Sequence, residues 1–385
     1  MNFKEEAYKV QDEIVAFRRD LHMHPEASMQ EVRTTGKIIE KLEEYGIPYR
    51  KLDPTGVIAE IKGAYPGKTI ALRADIDALS IQENTGLEFS SVNDGFMHAC
   101  GHDTHPSMLM GAAKILNSVK GQLHGTVRLF FQPGEEVCEG ARAVCAQGGM
   151  DGVDTAFGIH IGSMKECGSI TLTKGASHAS TDQFFIRVSG KTSHGARPEA
   201  GHDAVVAAAA ITMALQTMVS RESAPTKPLV VTVGKLWAGS RFNIISGSAL
   251  LEGTCRSYDV ELHKSLPSMM ERIAKNVAEA YGCTAEVEYK VLTEVCVNDE
   301  ARVDSVWKSA LKVADRPELV LAGTAQMGGE DFAEYTTYAP CAFASLGAGG
   351  IHPQHSEKVV FDESAFPTGV ALYCQVAWDF LNGEE

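Results

Sequence analysis

The densest group of side chains that could do chemistry lies at residues 98–105, which read His-Ala-Cys-Gly-His-Asp-Thr-His. In an extended segment, residues two apart point to the same side, so Cys100 and His102 can face one centre while Gly101 leaves room for a close approach. This spacing favours a metal site. Two alternatives stay open here: a loop of structural histidines, or a hydrolase in which Cys100 is the nucleophile.

A second group follows the apolar strand pattern at 127–131 and reads Gln-Pro-Gly-Glu-Glu over 132–136. Adjacent residues of an extended chain point to opposite sides, so Glu135 and Glu136 can serve different purposes. One carboxylate can bind a metal while the other acts as a general base. The alternative is a solvated acidic turn.

Two further histidines could complete such a site. His160 lies in an apolar strand pattern, where a lone histidine has to be hydrogen-bonded or coordinated to be buried at low cost. His355 lies in a loop near the C-terminus, and each histidine taken singly is more often structural. Together with Cys100, His102 and Glu136 they supply nitrogen, oxygen and sulfur donors, which suit zinc, manganese or cobalt better than calcium or magnesium.

The elements that would position these residues alternate along the chain. Strand-like runs at 56–61, 69–73 and 126–131 are separated by helical patterns at 34–45 and 106–119. Such alternation predicts an α/β fold in which helices cover a central sheet.

A different rhythm begins near residue 183. Strand, helix, strand, strand, helix and strand patterns follow one another, which is the order of a split βαβ unit with its own small sheet. They cover 184–189, 203–219, 229–236, 248–256, 260–281 and 285–292. Because 385 residues exceed the usual size of one core, we predict an inserted domain at 181–295 and one discontinuous domain from 1–180 and 296–385.

Composition narrows the classes of function. The chain has 35 basic and 50 acidic residues, a net charge of −15, and no Lys/Arg-rich stripe, so a nucleic-acid partner is not expected. No apolar run approaches the ~18–20 residues of a bilayer span and the N-terminus is too charged for a signal peptide, so no membrane partner is expected either. The 9 scattered cysteines are typical of a reduced, cytoplasmic protein.

Six segments stand out when they are taken in order. They are LHMHPE (21–26), ALRADIDAL (71–79), MHACGHD (97–103), FQPGEE (131–136), GIHIG (158–162) and HSEKVVFDE (355–363). Together they closely resemble the metal-dependent amidohydrolase family of aminoacylases, hippurate hydrolase, auxin-conjugate hydrolases and aminobenzoyl-glutamate hydrolase, and more distantly carboxypeptidase G. The resemblance covers essentially the whole chain, and MHACGHD followed by QPGEE is its most specific part.

The resemblance implies a site with two divalent metal ions, which would be manganese, zinc or cobalt. It makes Glu135 the general base and Asp77 a residue that orients a ligand histidine. His355 is preferred to His352 because of its distance from Phe361. The chain departs from the family in having Gly134 where alanine is usual. The implied metal ligands, with the thiolate as the bridge, are Cys100, His102, Glu136, His160 and His355.

The resemblance also implies roles for the inserted block. His194 resembles a histidine that reaches the active site of the partner in a homodimer, and Asn243 and Arg256 resemble residues that hold the scissile-bond region and the substrate carboxylate. The implied fold is a discontinuous catalytic domain, with a central mixed sheet flanked by helices, plus an inserted ferredoxin-like βαββαβ lid and dimerisation domain.

The function that follows from the resemblance is metal-dependent hydrolysis of the amide bond of a small N-acyl or N-aroyl amino acid, which releases a carboxylic acid and a free amino acid. A dipeptidase or a deacetylase of the same family is the alternative, since it would share the site. A non-catalytic metal-binding dimeric protein is a further alternative, but such a protein has no use for Glu135.

Overall fold

The computed structural model, which describes residues 1–383, divides the chain into two units. The first unit comprises Met1–Ser177, Val297–Thr324 and the chain from Asp331 onward, and the second comprises His178–Cys296 and Ala325–Glu330. The short segment Ala325–Glu330 had no place in the predicted insert. It belongs to the second unit because the Ala179 backbone N–H donates to the carbonyl oxygens of Gln326 (3.1 Å) and Gly328 (3.2 Å).

The first unit is built on one mixed sheet of eight strands in the order β1-β2-β4-β3-β5-β16-β6-β15. The predicted α/β class with a central mixed sheet is confirmed, since β3, β4, β5 and β16 run parallel while β2 runs antiparallel to β4 and β6 runs antiparallel to β16. The strands are β1 (Tyr49–Lys51), β2 (Val57–Lys62), β3 (Tyr65–Asp75), β4 (His124–Gln132), β5 (Thr155–Gly162), β6 (Ile170–Leu172), β15 (Val320–Ala322) and β16 (Cys341–Gly347).

Helices pack against both the sheet and each other. Nearly every side chain of α4 and α10 is buried, as expected of helices that are apolar around most of their circumference. The helices of this unit are α1 (Phe3–Lys9), α2 (Gln11–Met23), α3 (Val32–Glu44), α4 (Thr104–Ser118), α5 (Gly140–Ala146), α8 (Glu300–Val313), α9 (Ala333–Thr336) and α10 (Phe366–Asn382).

The parallel strands place their carboxyl ends at one edge of the sheet. Asp75 ends β3 and pairs in register with Gln132, which ends β4, and His160 lies near the end of β5 opposite Ser345 of β16. Loops that leave this edge therefore start close together in space, although they are far apart in sequence. In open α/β sheets this edge is the usual place for a binding site.

The second unit has a sheet of four antiparallel strands in the order β10-β12-β8-β13. Two helices, α6 and α7, pack on one face of it around a core that includes Phe184, Ile186 and Leu251. Its elements are β8 (Thr181–Ser189), β9 (Ser193–His194), α6 (Ala204–Thr217), β10 (Leu229–Ala238), β11 (Ile244–Ile245), β12 (Ser248–Ser257), α7 (Val260–Ala280) and β13 (Thr284–Thr293). Two short strands, β7 (Gly175–His178) and β14 (Cys296–Asn298), span the points in the sequence where this unit begins and ends.

One helical segment corrects the sequence analysis. Within residues 1–383, Ala204–Glu222 spans 19 residues and its most apolar 18-residue window has a mean hydropathy of 1.4, so it is long and apolar enough, by length and composition alone, to cross a membrane. The expectation that no apolar run approaches this length was wrong, because the alanine-rich helix α6 continues into a wider turn at Met218–Glu222. A third of its most apolar window is buried, including Ile211 and Leu215 in the core of the second unit.

Candidate metal centre

The first unit brings the five predicted metal ligands together. The Cys100 thiol lies at the centre of the group, with its Sγ 3.5 Å from Nε2 of His160 and 3.4 Å from Nε2 of His355. Ligand atoms of Cys100, His102 and His160 all lie within 4.8 Å of one another, and so do those of Cys100, Glu136 and His355. One sulfur atom is thus common to two sets of donors, which is the arrangement that a pair of ions sharing one thiolate requires.

His102 has the geometry expected of a metal ligand. Its Nδ1 lies 3.1 Å from Oδ1 of Asp77, which accepts the proton of that nitrogen. Its Nε2 is buried and has no hydrogen-bond partner among the described residues, and the same holds for Oε1 of Glu136, 3.9 Å away. Buried polar atoms are normally paired, so two unpaired atoms that face each other across this gap fit a cation between them.

Asp77 holds both the histidine and the acidic turn. Besides His102, this buried carboxylate accepts hydrogen bonds from the Ser28 hydroxyl at 2.6 Å and from the Glu136 backbone N–H at 2.9 Å. Burial acts to raise the pKa of Asp77, but the hydrogen bond from His102 and these other contacts outweigh it and lower the pKa. An ionised Asp77 keeps the Nδ1 proton of His102 in place and leaves Nε2 pointing at the site.

The pKa shifts of the candidate ligands indicate a site that would be stabilised by a cation. Burial raises the pKa of the Cys100 thiol far above its usual range, and burial likewise raises the pKa of Glu136. Burial acts to lower the pKa of His102, yet the carboxylate of Asp75 and the other groups around it raise the pKa above its normal value. A catalytic thiol needs a lowered pKa, so this environment does not favour Cys100 as a nucleophile and suits a thiol that loses its proton to a cation.

His105 supports the centre without belonging to it. Its Nδ1 is hydrogen-bonded to Oδ1 of Asp75, and its Nε2 accepts the backbone N–H of Ile161 at 2.8 Å. Both ring nitrogens are therefore occupied, although Asp75, His102 and His105 also lie close enough together to hold an ion. The adjacent His160 donates from Nδ1 to the Ile161 carbonyl oxygen at 2.6 Å, which turns its Nε2 toward Cys100.

The last ligand comes from a loop whose backbone is unusual. His355 has a φ of 64°, a left-handed conformation that is uncommon for residues other than glycine, and its backbone N–H donates to the Ala99 carbonyl oxygen at 2.9 Å. This conformation brings His355, rather than His352, to Cys100. The neighbouring Gln354 also donates to the Cys100 carbonyl oxygen at 3.1 Å, a contact that no sequence pattern indicated.

Glu135 lies next to the ligands and is buried. Its carboxylate lies within 4.8 Å of ligand atoms of His102 and Glu136, and its Oε1 is 3.4 Å from the backbone N–H of Asp331. Sequence reasoning gave Asp331 no role, yet it also accepts hydrogen bonds from the buried side chains of Arg73 (2.7 Å) and Gln132. The signal that could have indicated this network is Arg73 itself, a charged residue within the otherwise apolar run at 70–74.

The other three predicted site residues lie in the second unit. His194 of β9 pairs in register with Ile244 of β11, and Asn243 precedes that strand, so the unit places His194 and Asn243 side by side. The Asn243 Oδ1 is buried and has no partner among the described residues. Arg256 lies on β12, where its Nη1 donates to the Cys255 carbonyl oxygen at 2.8 Å and to the Thr254 hydroxyl, and it lines a cavity of about 420 Å³ on the open face of the sheet.

A mixed sheet that carries a buried Cys/His/carboxylate centre at its carboxyl edge, with a further carboxylate beside the ligands, is the architecture of a metal-dependent hydrolase. The sequence comparison agrees and is more specific. Residues 71–379 match peptidase family M20/M25/M40, and the chain belongs to this family of enzymes that hydrolyse amide bonds.

Characterised relatives align with almost the entire chain. The N-acetylcysteine deacetylase of Bacillus subtilis (strain 168) is 38% identical over 366 residues, which are 94% of this chain and 96% of the relative. The hippurate hydrolase of Campylobacter jejuni is 33% identical and covers 99% of this chain and 100% of its own length. The crystal structure of the Bacillus subtilis YXEP protein, a dinuclear metal binding peptidase of family M20, superposes with a TM-score of 0.86 at 36% identity over 97% of this chain and 99% of that one.

Proposed function

We propose that this enzyme hydrolyses the amide bond of small N-acyl or N-aroyl amino acids and releases a carboxylic acid and a free amino acid. The observation that carries the proposal is the position of Glu135, a carboxylate beside the unpaired Nε2 of His102 and Oε1 of Glu136. The names of the relatives support the substrate class, since N-acetylcysteine and hippurate are both N-acyl amino acids.

Two divalent ions, which we propose to be manganese, zinc or cobalt, would be held by Cys100 and the four other ligands around it. The mixed sulfur, nitrogen and oxygen donors fit these metals, and the shared thiol fits a pair of them. Ions in these positions supply Lewis acidity to the reaction. The dinuclear relative supports the stoichiometry.

The residues of the chain then have distinct roles. Glu135 takes a proton from the attacking water and returns it to the nitrogen of the leaving amino acid, a function that its position next to the ligand carboxylate of Glu136 allows. His194 and Asn243 donate hydrogen bonds to the oxyanion that forms at the scissile carbonyl. Asp77 keeps His102 in the tautomer that presents Nε2.

Arg256 binds the carboxylate of the substrate in this proposal. Among the described residues, no carboxylate lies within ion-pair distance of its guanidinium, whereas Lys235 on the same sheet face is paired with Glu252 at 3.0 Å. A half-buried guanidinium without an anionic partner that lines a cavity is suited to a carboxylate ligand.

We also propose that the second unit is a ferredoxin-like lid and dimerisation domain. Its sheet order and its two helices support the fold, and β10 lies at the edge of the sheet, where its outer backbone groups are open to another strand. Apolar side chains on and near that edge support a homodimer, and they are Val206, Met213, Leu236, Trp237 and Phe242, of which Phe242 is 96% exposed. A cytoplasmic location completes the proposal and is supported by the 9 cysteines, which are scattered along the sequence without the spacing of a disulfide framework.

The proposed chemistry is tested with a matched pair of variants, Glu135→Gln and Glu136→Gln. Glu135→Gln is expected to bind metal normally and to lose at least ~100-fold in turnover, because an amide cannot accept the proton of water. Glu136→Gln is expected to lose metal as well. Metal content by mass spectrometry and hydrolysis of hippurate, N-acetyl amino acids, aminobenzoyl-glutamate and dipeptides are the measurements, and equal loss of metal in both variants would contradict the assignment.

The dimer is tested by mixing inactive subunits. If His194 acts in the site of the partner subunit, His194→Ala and Glu135→Gln proteins are each nearly inactive alone but form one intact site in a mixed dimer. Random exchange makes about half of the dimers mixed, so activity should rise to about a quarter of the wild-type value. An active His194→Ala protein, or no recovery after verified exchange, would remove the partner from the mechanism.

A further inference from the structure

Glu31 is a buried carboxylate that the proposed chemistry does not use. It precedes helix α3 and its side chain is fully buried (0% exposed). Ionisable side chains are almost never buried to this extent unless they are paired, so its partners indicate what it does.

The partners of Glu31 connect two distant loops. Its Oε1 accepts the backbone N–H of Met29 at 2.8 Å and the backbone N–H of Gly134 at 2.9 Å, and its Oε2 accepts the hydroxyl of Thr55. All three partners are donors, which matches a carboxylate that only accepts. The contact with Gly134 is the informative one, because the next two residues are Glu135 and Glu136.

The turn at Gly134 is restricted by its backbone conformation and its close packing as well as by this hydrogen bond. Gly134 has a φ of 59°, and a Cβ at this position would lie 2.4 Å from Sδ of Met29. Its carbonyl oxygen accepts the N–H groups of Glu139 and Gly140 at 3.2 and 3.1 Å, which closes the turn on its far side. Glu31 therefore holds both sides of this close approach, Met29 and Gly134, through a single oxygen atom.

We propose that Glu31 is a positioning residue for the two carboxylates of the active centre. It acts through the Gly134 backbone, while Asp77 holds the same turn two residues later through the N–H of Glu136 at 2.9 Å. Because the N–H groups of Gly134 and Glu136 are both held by these carboxylates, the backbone from which the Glu135 side chain extends is fixed in position. A displacement of about 1 Å at a reacting group can lower a rate by ~100-fold, so such a clamp bears directly on turnover.

The inference rests on the proposed roles of Glu135 and Glu136, and its test uses a control that separates positioning from stability. Asp379 is also a buried carboxylate of the first unit, with three donors, Ser309, Lys312 and Gln375, at 2.6–2.8 Å. None of its hydrogen bonds reaches the turn at Gly134. The variants to compare are Glu31→Gln, Glu31→Asp and Asp379→Asn in the full-length enzyme.

Three quantities are measured for each variant: the melting temperature, the Co²⁺ affinity from absorption titrations, and kcat and KM for an N-acyl amino acid that the wild type hydrolyses. Both Glu31 variants are expected to lose at least ~10-fold in kcat with KM changed less than ~3-fold, and Co²⁺ affinity is expected to fall by ~10-fold. Asp379→Asn also removes a buried carboxylate, so its melting temperature is expected to fall about as much as those of the Glu31 variants. Its kcat and Co²⁺ affinity are expected to stay within ~2-fold of wild type.

The outcomes are distinct. Normal kcat and Co²⁺ affinity in a folded Glu31 variant would overturn the inference, as would equal losses in Asp379→Asn. If neither Glu31 variant folds, the inference is also overturned, because the residue then serves the fold as a whole. A wild type without amide hydrolysis refutes the proposed function instead, and in that case a normal Co²⁺ affinity in Glu31→Gln would still refute the clamp.

Discussion

Each unit contains a buried histidine with one ring nitrogen hydrogen-bonded to an aspartate, but the surroundings of the other ring nitrogen differ. His102 in the first unit is bonded to Asp77, and His263 in the second unit is bonded to Asp182 at 2.8 Å. Neither remaining ring nitrogen has a hydrogen-bond partner among the described residues, but Nδ1 of His263 lies at close ion-pair distance, 3.2 Å, from a carboxylate oxygen of Glu294. Nε2 of His102 lies farther from its neighbouring carboxylates, 3.7 Å from Asp75 and 3.9 Å from Glu136.

The difference indicates how a structural histidine can be told from a proposed metal ligand. A buried His–Asp pair occurs at both positions, so the pair alone does not indicate a metal site. The second unit places a single carboxylate, that of Glu294, close to the free side of its histidine, while the first unit surrounds its histidine with several groups that could bind a metal, such as Glu136 and Cys100. Unsatisfied donors that converge on one point are thus the stronger indicator.

The largest expected effect comes from deleting the two rings. His102→Ala should lower amide hydrolysis by about 1000-fold, because a ligand of a Lewis-acidic centre is lost. His263→Ala should change hydrolysis by less than about 3-fold at a temperature where it is folded, but destabilise the second unit by about 3–5 kcal/mol, since Asp182 is left as an unpaired buried charge. Kinetics and urea unfolding check both statements. A loss of metal from His263→Ala would contradict the view that His263 is purely structural.

The next effect concerns the carboxylates behind the rings. Asp77→Asn should weaken metal binding or activity by about 10- to 100-fold, since an amide no longer fixes the proton on Nδ1 of His102. Asp182→Asn should leave metal binding unchanged. Titration of both proteins with Co²⁺ is the measurement, and equal affinities in the two variants would show that Asp77 does not orient the ligand.

A smaller effect is expected from pH. Burial acts to lower the pKa of His263, but the interactions with Asp182 and Glu294 raise it to about 9. Because the folded pKa lies above the unfolded value of about 6.5, the protonated ring stabilises the second unit fully below about pH 6.5, and this contribution is lost as the pH rises through 9. Urea unfolding from pH 6.5 to 9.5 should show a decrease of about 1–2 kcal/mol that is absent in His263→Gln.

The smallest effect tests whether His263 can be made to resemble His102. Glu294→Gln removes the anion that faces the second nitrogen and should destabilise the second unit by about 1 kcal/mol at pH 7. It should not create a Co²⁺ site, because a single histidine lacks the converging donors of the first unit. A third equivalent of bound Co²⁺ in this variant would contradict that distinction.

Elements with a local signal could be predicted from the sequence. The helices expected at 203–219 and 260–281 are Ala204–Thr217 and Val260–Ala280, and the strand expected at 126–131 lies within His124–Gln132. Hydrophobic periodicity is a property of neighbouring residues, so it reports such elements without any knowledge of the tertiary structure.

Contacts between distant segments could not be predicted in this way. Spacing brought Cys100 and His102 together, but His355 is 255 residues from Cys100, and only the family resemblance gave a reason to prefer it to His352. Glu31 has the sequence context of an exposed helix start, and its burial results from a hydrogen bond to Gly134, 103 residues away. Pairings of this kind depend on how the whole sheet assembles, which a single sequence does not display.

The order of strands in the first unit has a consequence for biosynthesis. Strand β16, which ends at Gly347, lies between β5 and β6, so the sheet stays incomplete until the chain has left the ribosome as far as residue 347. The second unit is almost continuous in sequence, from His178 to Cys296, and its four-stranded sheet can form well before that. Because His355 is translated after β16, the last of the five candidate metal ligands leaves the ribosome only after the strands that position the other four have been made.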